Sequence, residues 1–396
     1  MPSTNGACRG RKTSIRNWLT DMKFSELPTP CFVIDKAKLT ANLRILKSVR
    51  ERAGCKILLA QKAFSAFAVY PLVSEYLDGA TASGLFEARL GSEEFRGENH
   101  VFCAAYKDDE FDEIASLCGH VVFNSLGQLR RFKGRALKAG AKVGIRVNPE
   151  FSTQSGHAIY DPCAEYSRLG VLCADLSEAD FDGVSGIHFH TLCEQNSDDL
   201  EATLNAVVEK FGKYFKKISW INFGGGHHIT RSGYDIDRLV NCVKKAKEEF
   251  NLEVYLEPGE AVALNAGFLK AKVLDIVKNG IETAVLDASA ACHMPDVIEM
   301  PYRPPVLNSG KLGEKPFSYR LAGATCLAGD VIGDYSFDEK LKISDEIVFA
   351  DMAIYSMVKT NTFNGMPLPS IAVMEEDGDC TIIRNFSYAD FKSRLS

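Results

Sequence analysis

The chain has 396 residues, 46 Lys and Arg against 52 Asp and Glu, and a formal net charge of −6. That length allows one large domain or two ordinary ones of roughly 100–200 residues each, and 46% hydrophobic with 25% charged residues supports a buried core and excludes wholesale disorder. The mildly acidic balance argues against nucleic acid as a partner, because phosphate binding needs a basic surface, and no run approaches the roughly 20 apolar residues of a membrane-spanning helix.

Residues 1–21 are polar and basic without an apolar stretch, so they read as a disordered extension or an upstream start, with nothing in them to support a transit peptide. The twelve cysteines are scattered and form no CxxC pair, which fits a reduced, cytoplasmic chain. Residues 28–34 (PTPCFVI) look like a strand placed ahead of a first helix. From about 55 to 262, eight strand candidates alternate with helical patterns. The strands are 55–63, 78–83, 100–105, 120–125, 142–148, 183–191, 218–224 and 253–258; the helices are 67–77, 85–96, 109–118, 126–139, 197–217 and 235–251. In 197–217, Leu200, Leu204, Val207, Val208 and Phe211 recur at helical spacing, and Asp198 and Asp199 suit the dipole of its first turn. The connection 149–182 reads as an elaborated loop. Eight such alternations predict a (β/α)8 TIM-like barrel, with an open doubly wound sheet as the rival. The barrel is favoured because chemically loaded residues fall at the C-terminal ends of several runs: Lys62, Ser83, Arg146, His190, Gly224–Gly226 and Glu257. After about 262 the pattern turns β-like, at 268–277, 281–288, 345–350 and 379–384. The expected organisation is therefore a barrel over 39–262 and a mostly β domain built from 22–38 and 263–396.

Lys62 closes the run LLAQK. Desolvation there would lower its pKa and make the amine a nucleophile fit for a Schiff base; a lysine emerging into solvent is the plainer reading. Asn222-Phe-Gly-Gly-Gly-His-His228 follows a strand, and its glycines either let backbone N–H groups approach a phosphate or simply make a tight turn. Glu257 closes the last barrel strand in Glu257-Pro-Gly-Glu260. A carboxylate at that depth needs a partner, either a pyridine nitrogen or a structural arginine. His188 and His190 lie two apart on one strand. With His227, His228 and His293 they raise a zinc-hydrolase reading, although a ring stacked on a cofactor and a satisfied core histidine explain them equally well. Cys326 sits in the loop Gly323-Ala-Thr-Cys-Leu-Ala-Gly-Asp330, where a cysteine is ordinarily inert.

Taken in order, a lysine on the first barrel strand, a histidine after the sixth, Gly-Gly-Gly after the seventh, Glu-Pro-Gly after the eighth, then the Cys326 loop and Tyr355 resemble the fold-type III, alanine-racemase-like pyridoxal phosphate decarboxylases over about 22–396. Within that family the motifs around Lys62 (LLAQKAFS), 188–196 (HFHTLCEQN), 222–230 (NFGGGHHIT), 257–267 (EPGEAVALNAG), 293–304 (HMPDVIEMPYRP) and 325–337 (TCLAGDVIGDYSF) are similar to its carboxynorspermidine branch. Diaminopimelate decarboxylases carry Arg where this chain has Glu260, Cys-Glu-Ser where it has Cys326-Leu-Ala, and a HIGSQ-like turn after the histidine. One departure from the branch itself is AQKAF in place of ALKGF. The resemblance implies pyridoxal 5'-phosphate carried by Lys62 and stacked by His190. It places Gly224, Gly225, Gly226 and Gly259 around the phosphate, with Tyr355 in contact, and Glu257 against the pyridine nitrogen. Glu260, Asp296 and Asp330 would meet the substrate. Cys326, with Asp330, would arrive from the second subunit of a homodimer, and Cys326 or Lys62 would return a proton to the product. The implied reaction is decarboxylation of a small carboxylated triamine in polyamine biosynthesis, with a diaminopimelate-type decarboxylase as the alternative.

Overall fold

The computed structural model describes residues 22–154 and 158–396, so the expectation for residues 1–21 lies outside the described residues. Eight parallel strands run through Lys56–Ala60, Gly79–Ala82, Glu98–Cys103, His120–Phe123, Lys142–Asn148, Gly186–His188, Trp220–Asn222 and Glu253–Leu256. Each pairs with the next in sequence, and the last pairs with the first, Tyr255 opposite Lys56 and Leu256 opposite Ile57. The sheet is therefore a closed barrel and not the doubly wound alternative. A Cβ on Gly186 would run into the Trp220 ring, and one on Gly144 would meet the same ring. These two glycines open the space in which Trp220 fills the barrel interior with Leu58, Val122 and Tyr255.

The helix preceding the barrel, Lys36–Ala53, starts where the Asp35 side chain accepts the Lys38 N–H at 3.0 Å. It stops at Gly54, whose φ of 66° suits a left-handed cap. Leu39, Leu43, Leu46 and Val49 form its buried stripe, each contributing about 1.5–3 kcal/mol by leaving water. The outer helices over Leu85–Glu94, Phe111–Leu117, Leu126–Lys138 and Ile236–Phe250 lie where the periodicity predicts them. The stretch 67–77 differs: it is a 3-10 turn at Phe67–Val69 and one helical turn at Tyr70–Val73. Ser74 Oγ bonds back to the Tyr70 carbonyl at 2.7 Å, the local competition that disfavours helix extension. The helix after the sixth strand ends at Phe211 and tightens to a 3-10 segment at Gly212–Lys217. The connection 149–182 is irregular, with a two-residue strand, Val171–Leu172, and three 3-10 turns.

The second sheet mixes both ends of the chain. Its order is Met22–Lys23, Asp379–Arg384, Ser370–Met374, Cys31–Asp35, Gly267–Asn279, Ile281–Leu286, Phe317–Gly323, Val331–Phe337, with Glu346–Ala350 also paired to Gly267–Asn279. Four of these strands, Met22–Lys23, Phe317–Gly323, Val331–Phe337 and Ser370–Met374, have no counterpart among the expected runs. Phe317–Gly323 and Val331–Phe337 spend alternate positions on polar residues, and Arg320 holds Asp334 across the pair at 2.8 and 3.0 Å. The segment after Glu346–Ala350 then returns over the barrel mouth, where Tyr355 N–H donates to the Ala63 carbonyl at 2.8 Å.

Candidate active site

Lys62 lies two residues beyond the end of the first barrel strand, in a turn. Its backbone is fixed on both sides. Gln61 is buried and donates to the Glu87 carbonyl at 2.9 Å, and Ala63 receives the Tyr355 N–H. The amine stands in a cavity of about 720 Å³ that also meets Ser83, Arg146, His188, His190, Gly225 and Glu257. The side chain reaches solvent through that cavity, yet the walls strip most water from it. Its pKa is lowered first by this burial and then by Arg146, against a smaller opposing pull from Glu257. A lysine so placed keeps a share of neutral, nucleophilic amine.

Glu257, the residue after the eighth strand, is an anchored anion. Asn222 Nδ2 donates to Glu257 Oε1 at 2.8 Å, and His188 Nε2 lies 3.3 Å from Oε2. Burial alone would raise its pKa; His188 and the Asn222 amide outweigh it and hold the carboxyl at about 2. The His188 pKa is itself lowered by burial, so the ring donates as a neutral imidazole and the negative charge stays on Glu257. Asn222 also accepts the Gly224 N–H on its Oδ1 at 2.8 Å, tying the glycine loop to the carboxylate through one side chain.

His190 is oriented by the glycine loop. Gly225 N–H donates to its Nδ1 at 2.8 Å, which leaves the proton on Nε2. Burial, Lys62 and Arg146 drive its pKa well below the ordinary value, so the ring is a neutral, flat surface. Gly224 and Gly226 have φ of 69° and 81°. A Cβ on Gly224 would lie 2.6 Å from His190 Cβ, and one on Gly226 would run into the Leu192 carbonyl. The N–H groups of Gly226, Gly259 and Glu260 have no acceptor among the described residues, which leaves them free for an anion. A nucleophilic lysine, an ionised carboxylate, a neutral ring and free backbone donors are the set that pyridoxal phosphate takes. Tyr355, with a strained φ of 53°, and Gly259 line the same space.

A second cavity of about 490 Å³ shares Lys62, His190 and Glu257 with the first and extends to Glu194, Glu260, Asp296, Asp351 and Tyr302. Asp296 is already engaged: Lys359 Nζ lies 2.5 Å from its Oδ1 and 2.9 Å from Glu299 Oε2. Glu260 Oε1 lies 3.5 Å from His228 Nε2. The Glu194 pKa is raised by burial and then by Glu260, and the Asp351 pKa by burial and, more weakly, Glu260. Three crowded acids, with His228 and, more weakly, Arg231 acting on Glu194, make a cleft that favours cations. Glu194 and Asp351 were missed by motif reading. Their signal was a left-handed backbone, φ 55° and 57°, which sequence does not display for Glu or Asp.

Residues 31–353 match the family described as pyridoxal-dependent decarboxylase, C-terminal sheet domain. A carboxynorspermidine/carboxyspermidine decarboxylase from Campylobacter jejuni is 44% identical over 94% of this chain and 100% of its own length. The chain belongs to the pyridoxal-dependent decarboxylase family. A carboxyaminopropylagmatine decarboxylase from Synechocystis sp. is 40% identical, over 96% of this chain and 98% of its own. The crystal structure of the Campylobacter jejuni carboxynorspermidine decarboxylase complexed with norspermidine superposes with a TM-score of 0.88 at 44% identity, covering 93% of this chain and 100% of that one.

Two residues of this decarboxylase stand apart from the cavities. Cys326 is exposed and lines neither of them; its N–H donates to Asn364 Oδ1 at 2.6 Å. Asp330 is held inside its own chain. It is 2% exposed and accepts from Ser289 Oγ at 2.8 Å, Thr325 Oγ1 at 2.7 Å and Ala291 N–H at 3.2 Å. With its oxygens occupied inside the chain, it holds the Cys326 loop in shape. The family match overturns the hydrolase reading; of its histidines, His228 groups with Glu194 and Glu260 at the mouth, and the others do not add to it. His293 bonds the Pro367 carbonyl at 3.0 Å, and neither His188 nor His190 belongs to a group of metal-ligating side chains among the described residues.

Proposed function

We propose that this decarboxylase removes the α-carboxylate of carboxynorspermidine or carboxyspermidine, with a preference for substrates whose far end is cationic. The observation that carries the reading is the acid-lined second cavity, in which Glu194, Glu260 and Asp351 lie beyond Lys62 without an arginine. A diaminopimelate-type substrate would bring a second carboxylate into that cleft, against three acids.

Pyridoxal phosphate, when bound through Lys62, supplies the electron sink for the carbanion left as CO2 departs. The protein's own groups do the rest. Lys62, kept partly neutral, offers its amine to the carbonyl of the cofactor and takes up or releases a proton at Nζ. Glu257, held ionised by Asn222 and His188, would keep a proton on the ring nitrogen. His190, pinned by Gly225, gives the ring a flat neutral face, and the free N–H groups of Gly226 and Gly259 would meet the phosphate, with Tyr355 beside them. Glu194, Glu260 and Asp351 orient the substrate by its distal ammonium groups, while Asp296 balances Lys359 at the rim. Cys326 sits outside the cavities of its own chain, which supports a homodimer in which a second copy brings this thiol to the mouth as the proton donor. The test compares kcat/KM for carboxynorspermidine and meso-diaminopimelate in wild type and Glu260→Gln. The triamine should be strongly preferred and the preference should shrink in the variant; a wild-type preference for meso-diaminopimelate refutes the reading.

A further inference from the structure

At the opposite end of the barrel from Lys62, three side chains on adjacent strands converge without a part in the chemistry above. Glu98 opens the third strand, His100 follows on the same face, and His120 opens the fourth. His100 Nε2 lies 2.9 Å from Glu98 Oε2, and His120 Nδ1 lies 4.0 Å from the same oxygen. The two imidazoles stack with centroids 3.9 Å apart, and one ligand atom from each of the three residues falls within 4.8 Å of the others. His120 is 4% exposed, and neither of its ring nitrogens has a hydrogen-bond partner. An imidazole buried this deeply with both nitrogens unpaired is costly, so the site is under-satisfied as a purely structural cluster.

We propose that Glu98, His100 and His120 form a binding site for one divalent transition-metal ion, zinc by ligand type, at the base of the barrel. Two imidazoles and one carboxylate are a common zinc set, with bonds of about 2.0–2.2 Å, so ligand atoms around a tetrahedral ion stand about 3.3 Å apart. The distances to Glu98 Oε2, 2.9 Å from His100 and 4.0 Å from His120, bracket that value, and the stacked rings must turn edge-on to present both nitrogens to one ion. Entry is open: a cleft of about 410 Å³ reaches Glu98 and His120 from outside, past Gly97, Gly119 and Lys142, and water from it would complete the shell. Charge is manageable. Lys56 Nζ sits 2.5 Å from Glu98 Oε1, but it also has Glu253 Oε1 at 2.9 Å, and Tyr255 OH donates to Glu253 at 2.7 Å. Lys56 therefore keeps a carboxylate partner, while Glu98 Oε2 faces the imidazoles.

The experiment uses the untagged holoenzyme, dialysed against chelator and then loaded with Zn(II) or Co(II) alone. Wild type should retain one metal ion per chain through gel filtration, His120→Phe and Glu98→Gln should retain none, and His228→Asn should retain it. The last variant controls for the acidic group Glu194, His228 and Glu260 at the mouth. X-ray absorption of zinc-loaded wild type should show two imidazoles on the metal, a readout that does not depend on any variant folding. No retention by wild type, equal retention by His120→Phe and Glu98→Gln, loss in His228→Asn, or a shell with fewer than two imidazoles overturns the site.

Discussion

Glu257→Gln removes one charge and leaves the shape of the site intact, so its consequences can be worked out from the surroundings. The Asn222 amide and His188 imidazole move the Glu257 carboxyl from an ordinary 4.5 to about 2, a bias of about 3 kcal/mol toward the ionised form. The site is therefore preorganised to hold a negative charge against the cofactor ring. A glutamine keeps the acceptor for Asn222 but cannot hold a proton on the ring nitrogen. If the barrier rises by that same ~3 kcal/mol, turnover falls by roughly 100-fold. Cofactor content should stay near one per chain, because Lys62 and the Gly224–Gly226 loop are untouched. CO2 release at saturating substrate measures the first quantity and absorbance of the bound cofactor the second. The carboxylate also links to pH. Its folded-state pKa is depressed, so its stabilising contribution is complete above about pH 4.5 and is lost as the pH falls toward 2. The stability gap between wild type and Glu257→Gln should close over that window. Turnover within tenfold of wild type, about 1.4 kcal/mol, would refute the assigned role.

Five further outcomes follow from the same geometry. Borohydride reduction and peptide mapping should recover the pyridoxyl adduct on Lys62, and Lys62→Ala should lose both adduct and turnover; an adduct on another lysine contradicts the assignment. Glu194→Gln and Asp351→Asn should each raise KM for the triamine more than they lower kcat, since a desolvated charge pair typically carries about 2–5 kcal/mol. In wild type, KM should rise on acidification as these two acids, whose pKa values are raised by burial, take up protons and lose the charge that attracts ammonium; a KM that does not change on acidification counts against them. Gly226→Ala, which drives a Cβ into the Leu192 carbonyl at a φ of 81°, should lose cofactor on gel filtration, and full retention would remove that loop from the phosphate site. Mixed Lys62→Ala and Cys326→Ala subunits should regain part of the activity that each lacks alone; no recovery, with subunit exchange verified by mass, places Cys326 outside the mechanism.

The barrel is legible in sequence because each of its strands is buried on both faces and bounded by turn residues, so a run such as Val121–Phe123 stands out without alternation. The second sheet is half legible. Its long strand Gly267–Asn279 shows as an apolar run, whereas Val331–Phe337 carries Gly333 and Asp334 and hides its pairing. The cofactor end of the site follows from residues that close barrel strands, Lys62, His190 and Glu257. The substrate end does not. Asp351 reaches the mouth only because its segment folds back from the second sheet, and the partner that occupies Asp296 is Lys359, 63 residues away. The surroundings of Asp330 are equally hidden: donors from Ser289 and Ala291, about 40 residues away, join those of Thr325 on its oxygens, and sequence adjacency to Cys326 does not reveal that. Asn222, the side chain that joins the glycine loop to Glu257, looks in sequence like a plain strand-end polar residue.

The central claim is tested most directly by a competition assay. Purified enzyme receives an equimolar mixture of carboxynorspermidine, carboxyspermidine, carboxyaminopropylagmatine and meso-diaminopimelate, and mass spectrometry follows each substrate and its decarboxylated product. The acid-lined cleft predicts early conversion of carboxynorspermidine or carboxyspermidine to norspermidine or spermidine, with meso-diaminopimelate left intact. Preferential formation of lysine, or consumption of carboxyaminopropylagmatine ahead of both triamines, would contradict it.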